Sequence, residues 1–190
     1  MNTQKLFKIA DYPVGQERLL AQDRHEWQAF LMFTEAYFKN MGIKEPVVVE
    51  IGIMKGVQKL YYKTILGAKH FGIDCNINAE PDILGDSQSK DTVTLLKEMT
   101  GGAKIDLLFI DGNHSYDAAK RDYELWEAET AHLVAFHDIR ATNNSKVARL
   151  WEEIRVDKMT VEFNRYNTQA SILKCKMVDM GIGVIIKGNE

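Results

Sequence analysis

Ile105-Asp-Leu-Leu-Phe-Ile-Asp-Gly-Asn-His-Ser-Tyr116 is the stretch on which the fold turns. Leu107 to Ile110 is a short apolar run without polar alternation, which fits a strand buried on both faces, as in a parallel sheet. It ends on Asp111. Three other runs end the same way: Pro46-Val-Val-Val-Glu50, His70-Phe-Gly-Ile-Asp74 and Leu133-Val-Ala-Phe-His-Asp138. Parallel strands finish at one edge of their sheet, and open α/β sheets bind ligands in the crevice outside that edge. Glu50, Asp74, Asp111 and Asp138 are therefore predicted to gather around one cleft.

Composition sets the limits. The 190 residues suit one domain with its own core, and a 45% hydrophobic share is that of an ordinary globular protein. A formal charge of −3, with Lys and Arg scattered, gives no electrostatic footprint for nucleic acid or a membrane surface. Cys75 and Cys175 lack metal-ligand spacing and read as reduced thiols. The first residues lack the apolar core of a signal peptide, and no stretch approaches the roughly 20 apolar residues of a membrane span. The expected location is cytoplasmic.

Outward from the deciding stretch, strand and helix patterns alternate. Residues 1–22, with Pro13 and Gly15, read as an arm. Asp23 is a candidate N-cap with Glu26 as its capping-box partner, opening a helix whose apolar positions run from Trp27 to Phe38. Residues 1–45 are thus an arm and a cover helix, and residues 46–190 the ligand-binding domain. Strands are expected at 47–51, 69–74, 105–110 and 132–137, with helices after Gly56, after Gly85, over about 116–128 and over 143–155. Ser87 or Ser89 would cap the second of these, and Gly101-Gly102 would close it. Thr160–Phe163 and Gly183–Lys187 are two more β-like runs. This alternation predicts a doubly wound α/β sheet.

Chemistry concentrates at the strand ends. Glycines at Gly52 and Gly56 let the backbone turn tightly and approach a ligand, or serve only as turn residues. Asp74 at the next strand end can accept hydrogen bonds from both hydroxyls of a ribose, or act as a turn acid. The Gly-x-Gly-x-x-Gly of a dinucleotide site is missing, because Met54 stands in the middle glycine position. His114 lies at the mouth of the predicted cleft, where an imidazole can take a hydroxyl proton near neutral pH; the competing reading has it bracing the loop. Tyr116 reads as the start of a core-packed helix, with Lys120, Arg121 and Asp122 on its solvated side. His25 and His70 have no partner nearby in sequence; Trp126 and Trp151 read as core, and Trp27 as core or, alternatively, as lining the substrate mouth.

Taken together, Val-Val-Glu-Ile-Gly-x-x-x-Gly, Phe-Gly-Ile-Asp, Leu-Gly-Asp-Ser, Ile-Asp-Leu-Leu-Phe-Ile-Asp-Gly-Asn-His-Ser-Tyr and Phe-His-Asp-Ile resemble a class I S-adenosylmethionine-dependent methyltransferase. The likeness covers about residues 46–155. It is nearest the small methyltransferase family that is similar to macrolide and sugar O-methyltransferases and to cephalosporin-hydroxylase-like proteins. It implies a Rossmann-like, seven-stranded, mostly parallel sheet with an antiparallel strand near the C-terminus. It also implies S-adenosylmethionine as cofactor, with Glu50, Gly52 and Gly56 around its methionine part, Asp74 on the ribose and Cys75 and Asn76 beside it. Asp86 and Ser87 match the adenine-contacting segment, and each also suits a helix N-terminus. Asp111 belongs to the same cofactor-binding set.

In metal-using relatives, acids at the positions of Asp111 and Asp138 bind a divalent ion such as Mg or Mn. His137 stands where those enzymes often carry an acid, and imidazole suits softer ions than Mg. The alternative is that both acids organise loops by hydrogen bonds. By the same resemblance His114 is a general base, with Asp111 beside it in the catalytic set. The implied activity is O-methylation of a small-molecule hydroxyl, with neither nucleic acid nor membrane as partner and a homodimer as the expected assembly. A non-catalytic cofactor-binding module or partner subunit is the alternative, and a nicotinamide-dependent oxidoreductase is a third reading. The acceptor is not legible in the residues.

Overall fold

The structure is a computed structural model, and it describes residues 22–140, 146–164 and 180–188. Seven strands form one sheet in the order β3-β2-β1-β4-β5-β7-β6. They are β1 (Val47–Ile51), β2 (Lys69–Asp74), β3 (Ile83–Leu84), β4 (Ile105–Ile110), β5 (Thr130–His137), β6 (Met159–Phe163) and β7 (Ile182–Ile186). All neighbours are parallel except β7, which runs antiparallel to both β5 and β6. The two β-like runs after residue 158 thus supply the antiparallel strand and its outer partner. Sequence reading missed β3, whose two residues between Pro81-Asp82 and Gly85 are too few to show a period.

Helices cover both faces. On one lie α1 (Arg24–Asn40) and α2 (Gln58–Tyr61), the latter running on as a π-helical turn over Tyr62–Leu66. Trp27, Phe30, Leu31, Tyr62 and Ile65 pack there on Val48, Leu107, Phe109, Leu133 and Val184. On the other lie α3 (Lys90–Thr100), α4 (Tyr116–Trp126) and α5 (Val147–Ile154). Val93, Leu96, Trp126, Leu150 and Trp151 pack on Val49, Ile51, Leu108, Ile110 and Phe136. Successive strand residues point to opposite faces, so a strand covered on both sides must be apolar at every position, as β1 and β4 nearly are.

Local signals set the helix ends. The Asp23 carboxylate accepts from the backbone N–H groups of His25 and Glu26. Ser89, not Ser87, caps α3, and Gly101 ends it at φ +64°. The described part of the expected 143–155 helix begins at its cap, Lys146. Residues 1–21, with Pro13 and Gly15, and Cys175 lie outside the described residues.

From β1 the chain winds outward to β2 and β3, then returns to place β4 and β5 on the other side of β1. The carboxyl ends of β1 and β4 therefore flank a topological switch point, where a crevice must open because the two connections leave in opposite directions.

Candidate functional site

A cleft of about 890 Å³ opens at that point. Backbone bonds stitch its floor: Asp111 N–H donates to Ile51 O at 2.9 Å, Gly52 N–H to Ile73 O at 2.9 Å and Gly85 N–H to Asp74 O at 3.0 Å. Gly52 is at φ +83°, and a Cβ there would stand 2.6 Å from Gly112 Cα, so the two loops close only around a glycine. Met54 lines the cleft at φ +50° and is 57% exposed, a left-handed conformation uncommon for a bulky residue.

At one end lies Asp74. Ile53 N–H donates to its Oδ2 at 3.0 Å and Asn76 N–H to its Oδ1 at 2.8 Å. Each oxygen keeps a second lone pair, so the carboxylate is both a turn acid and an acceptor aimed at the cleft. Cys75, Asp86 and Ser87 line the same end. Asp86 Oδ1 accepts from Gln88 N–H, while Ser87 Oγ donates to Asp122 Oδ1 at 2.7 Å and Ser87 O accepts from Trp126 Nε1 at 2.7 Å. Asp122 is only 1% exposed, against the expectation of a solvated side chain. The helix face that carries it is turned toward the loop after β3, where the Ser87 hydroxyl compensates its burial. Arg121 Nε reaches Gln88 Oε1 at 2.7 Å and completes this end.

At the other end Asp111, His114, His137 and Asp138 converge. His114 Nδ1 is 2.7 Å from Asp138 Oδ2, and its Nε2 is 3.4 Å from Asp111 Oδ1. His137 Nδ1 is 3.0 Å from Asp111 Oδ1, but no ring N–H is aimed along that line, so the contact is one of charge. Burial alone would raise the Asp111 carboxyl; the charge and contacts of His137 and His114 outweigh it and hold the group at about 2. His114 is pushed up to about 10 by Asp111 first and Asp138 second. Burial pulls His137 down, yet Asp111 and Asp138 leave it raised. Asp138 sits at φ +61°, a left-handed turn that a short acidic side chain tolerates. Asp111 Oδ2 accepts at 2.7 Å from Nε2 of Gln22, a residue to which no sequence signal pointed.

Residues 49–139, which run from within β1 past the end of β5 and include Asp74, Asp111, His114, His137 and Asp138, match the family model described as a methyltransferase domain. That stretch of the chain is similar to a methyltransferase domain.

Solved structures share this methyltransferase fold at low sequence identity. A proposed caffeoyl-CoA O-methyltransferase from Staphylococcus aureus is 16% identical, with 97% of this chain and 90% of that one covered at a TM-score of 0.59. An O-methyltransferase from Bacillus cereus in complex with SAH is 14% identical, with 97% and 91% covered at 0.54. The MycE methyltransferase of the mycinamycin pathway, with Mg, SAH and mycinamycin VI, is 13% identical at 0.55. Of this chain 83% is covered there, but the match spans only 49% of MycE, about half its length. No curated protein matches the chain by sequence.

Three residues predicted at the ligand, Glu50, Gly56 and Asn76, lie away from the cleft lining. Glu50 points to the opposite face of β1, where it is 0% exposed and its Oε2 is 2.9 Å from His70 Nε2. Strand alternation dictates this: Ile51 faces the cleft side, so Glu50 must face α2. Burial raises the Glu50 carboxyl, and the His70 contact offsets it only in part. His70 is therefore not without a partner; its ring also stacks on Tyr62 at 5.2 Å. Gly56, at φ +65°, shapes the turn into α2 and does not line the cleft either. Gly52, Asp74, Cys75, Asp86, Ser87, Asp111, His114, His137 and Asp138 all do. Among the described residues no three acidic, histidine or cysteine side chains are arranged around a common ion position, and no helix is long and apolar enough to cross a membrane.

Proposed function

We propose that the domain transfers the methyl group of S-adenosylmethionine to a hydroxyl of a small molecule, with His114 as general base. One observation carries the reading: a single cleft joins the Asp74 carboxylate, whose oxygens keep lone pairs for a diol, to an acid–imidazole cluster. Methyl transfer from a sulfonium needs the acceptor oxygen in line with the carbon–sulfur bond and relieved of its proton, so positioning and one base are the essential parts. Asp74 and the Ser87–Asp122 pair would hold the nucleoside, and the loop around Gly52 would let the backbone approach it.

His114 cannot accept a proton while it is clamped between Asp111 and Asp138, because at about 10 it is already protonated at neutral pH. It becomes a competent base only when those two carboxylates are engaged elsewhere. The donor set suits a divalent ion in that role: Asp111 and Asp138 offer hard oxygens, and Asp138 Oδ1 and both ring nitrogens of His137 are buried without a hydrogen-bond partner among the described residues. When bound, such an ion would lower the pKa of the acceptor hydroxyl.

The test is calorimetric titration of the full chain with S-adenosylhomocysteine, wild type against Asp74→Ala, with and without Mn²⁺. Micromolar binding lost in Asp74→Ala supports the cofactor site and justifies an acceptor screen. A folded wild type that does not bind removes the reading. Tight binding with no turnover across a wide acceptor panel favours a non-catalytic binding module instead.

A further inference from the structure

The residue just ahead of the first helix's cap brings its side chain into the site. Gln22, one residue before the Asp23 cap of α1, is 6% exposed, and its Nε2 donates to Asp111 Oδ2 at 2.7 Å. The other oxygen of Asp111, Oδ1, faces His137 at 3.0 Å and His114 at 3.4 Å. The two oxygens thus have separate partners, one just before α1 and the others on the cleft side. Gln22 lies outside the family-matched residues 49–139.

The backbone that presents Gln22 is fixed at several points. Asp23 caps α1, and Trp27 N–H donates to Asp23 O at 2.9 Å. Glu26 Oε2 accepts from Gly181 N–H at 3.1 Å, beside the Met180–Arg140 bridge that follows Asp138. The Trp27 ring packs 5.7 Å from that of Phe109, two residues before Asp111.

A neutral amide suits this task. Lysine or arginine at the same place would neutralise Asp111 and compete with the histidines, whereas an amide fixes the carboxylate and leaves its charge in place. Turning the amide over would set two oxygens against each other, so charge dictates its orientation. Gln22 Oε1 is buried with no partner among the described residues, which opposes folding, so stability alone does not account for glutamine here.

We propose that Gln22 is a positioning residue that holds the Asp111 carboxylate by Oδ2 and keeps Oδ1 turned to the histidines and the cleft. The proposal rests on reading Asp111 as a site carboxylate. Its test has two readouts on the full chain. In ¹H–¹⁵N spectra the side-chain NH₂ pair of Gln22, identified by its loss in Gln22→Met, should lie away from solvent-exposed amides and move in Asp111→Asn. A pair at the exposed-amide position, unmoved by Asp111→Asn, overturns the proposal. Calorimetry with Mn²⁺ alone should give about 10- to 100-fold weaker binding in Gln22→Met, at an unchanged melting temperature. Equal affinity in variant and wild type overturns the positioning role. A wild type that binds no Mn²⁺ overturns the ion part of the proposed function instead, and the spectrum then decides on Gln22. If Gln22→Met fails to fold, Gln22→Asn, whose amide is one methylene too short to reach, takes its place in both readouts.

Discussion

His114 stands half-exposed between two carboxylates, and its protonation ties the stability of the fold to pH. Its folded pKa, about 10, lies above the ordinary 6.5. The stabilisation it brings is therefore complete below about 6.5 and is lost as the pH rises through 10. Asp111 behaves oppositely: at about 2, below its ordinary 3.8, it stabilises above 3.8 and loses that effect as the pH falls toward 2. Both contributions are present between about pH 4 and 6.5. His114→Gln should melt below wild type at pH 6 and close to it at pH 10, as read by circular dichroism. An unchanged gap at pH 10 would mean that packing, not charge, separates the two proteins. Solvent screens a side chain that is 42% exposed, so the gap at pH 6 should be modest.

The two candidate serines at the start of α3 divide their work. Ser89 is the cap, its Oγ accepting from Asp91 N–H at 3.2 Å, while Ser87 faces the cleft and binds Asp122. Ser89→Ala should cost about 1 kcal/mol in chemical denaturation and leave S-adenosylhomocysteine binding unchanged. Ser87→Ala leaves the buried Asp122 carboxylate without its hydroxyl donor and should weaken that binding. Equal binding losses in the two variants would show that the cap itself positions the cleft loop. The loop before this helix reads as polar and irregular in sequence, and β3 within it forms only because Ile73 and Asp74 of β2 offer a free edge to Ile83 and Leu84. Neighbouring strands, not local propensity, make that element.

Over the whole molecule, α1 is a layer of the core as well as a neighbour of the cleft. Trp27 is 1% exposed, its ring within 5.4–6.1 Å of Phe30, Tyr61, Tyr62 and Phe109. Trp27→Ala should cost about 3–5 kcal/mol by denaturant titration, the loss expected of a core residue; a cost below about 1 kcal/mol would make α1 a loosely held cover. The apolar runs, their acidic ends and the glycines between them determined the doubly wound sheet and the acids of its cleft. That much is legible because a parallel strand must be apolar on both faces and its carboxyl end must meet the ligand edge. Glu50 shows where such reading stops: it ends a run as Asp74 and Asp111 do, but the register sets it opposite Gly72 and Phe109, two residues short of those acids, so it lies inside the sheet against His70 and not at the ligand edge. Gln22 and Asp122 carried no signal at all, since their partners stand 89 and 35 residues away. Sequence determined which elements form, β3 excepted, and where their polar ends lie. Only tertiary structure decided which of those ends share a cleft, because the direction of a side chain and the pairing of distant charges are set by packing, not by neighbours along the chain.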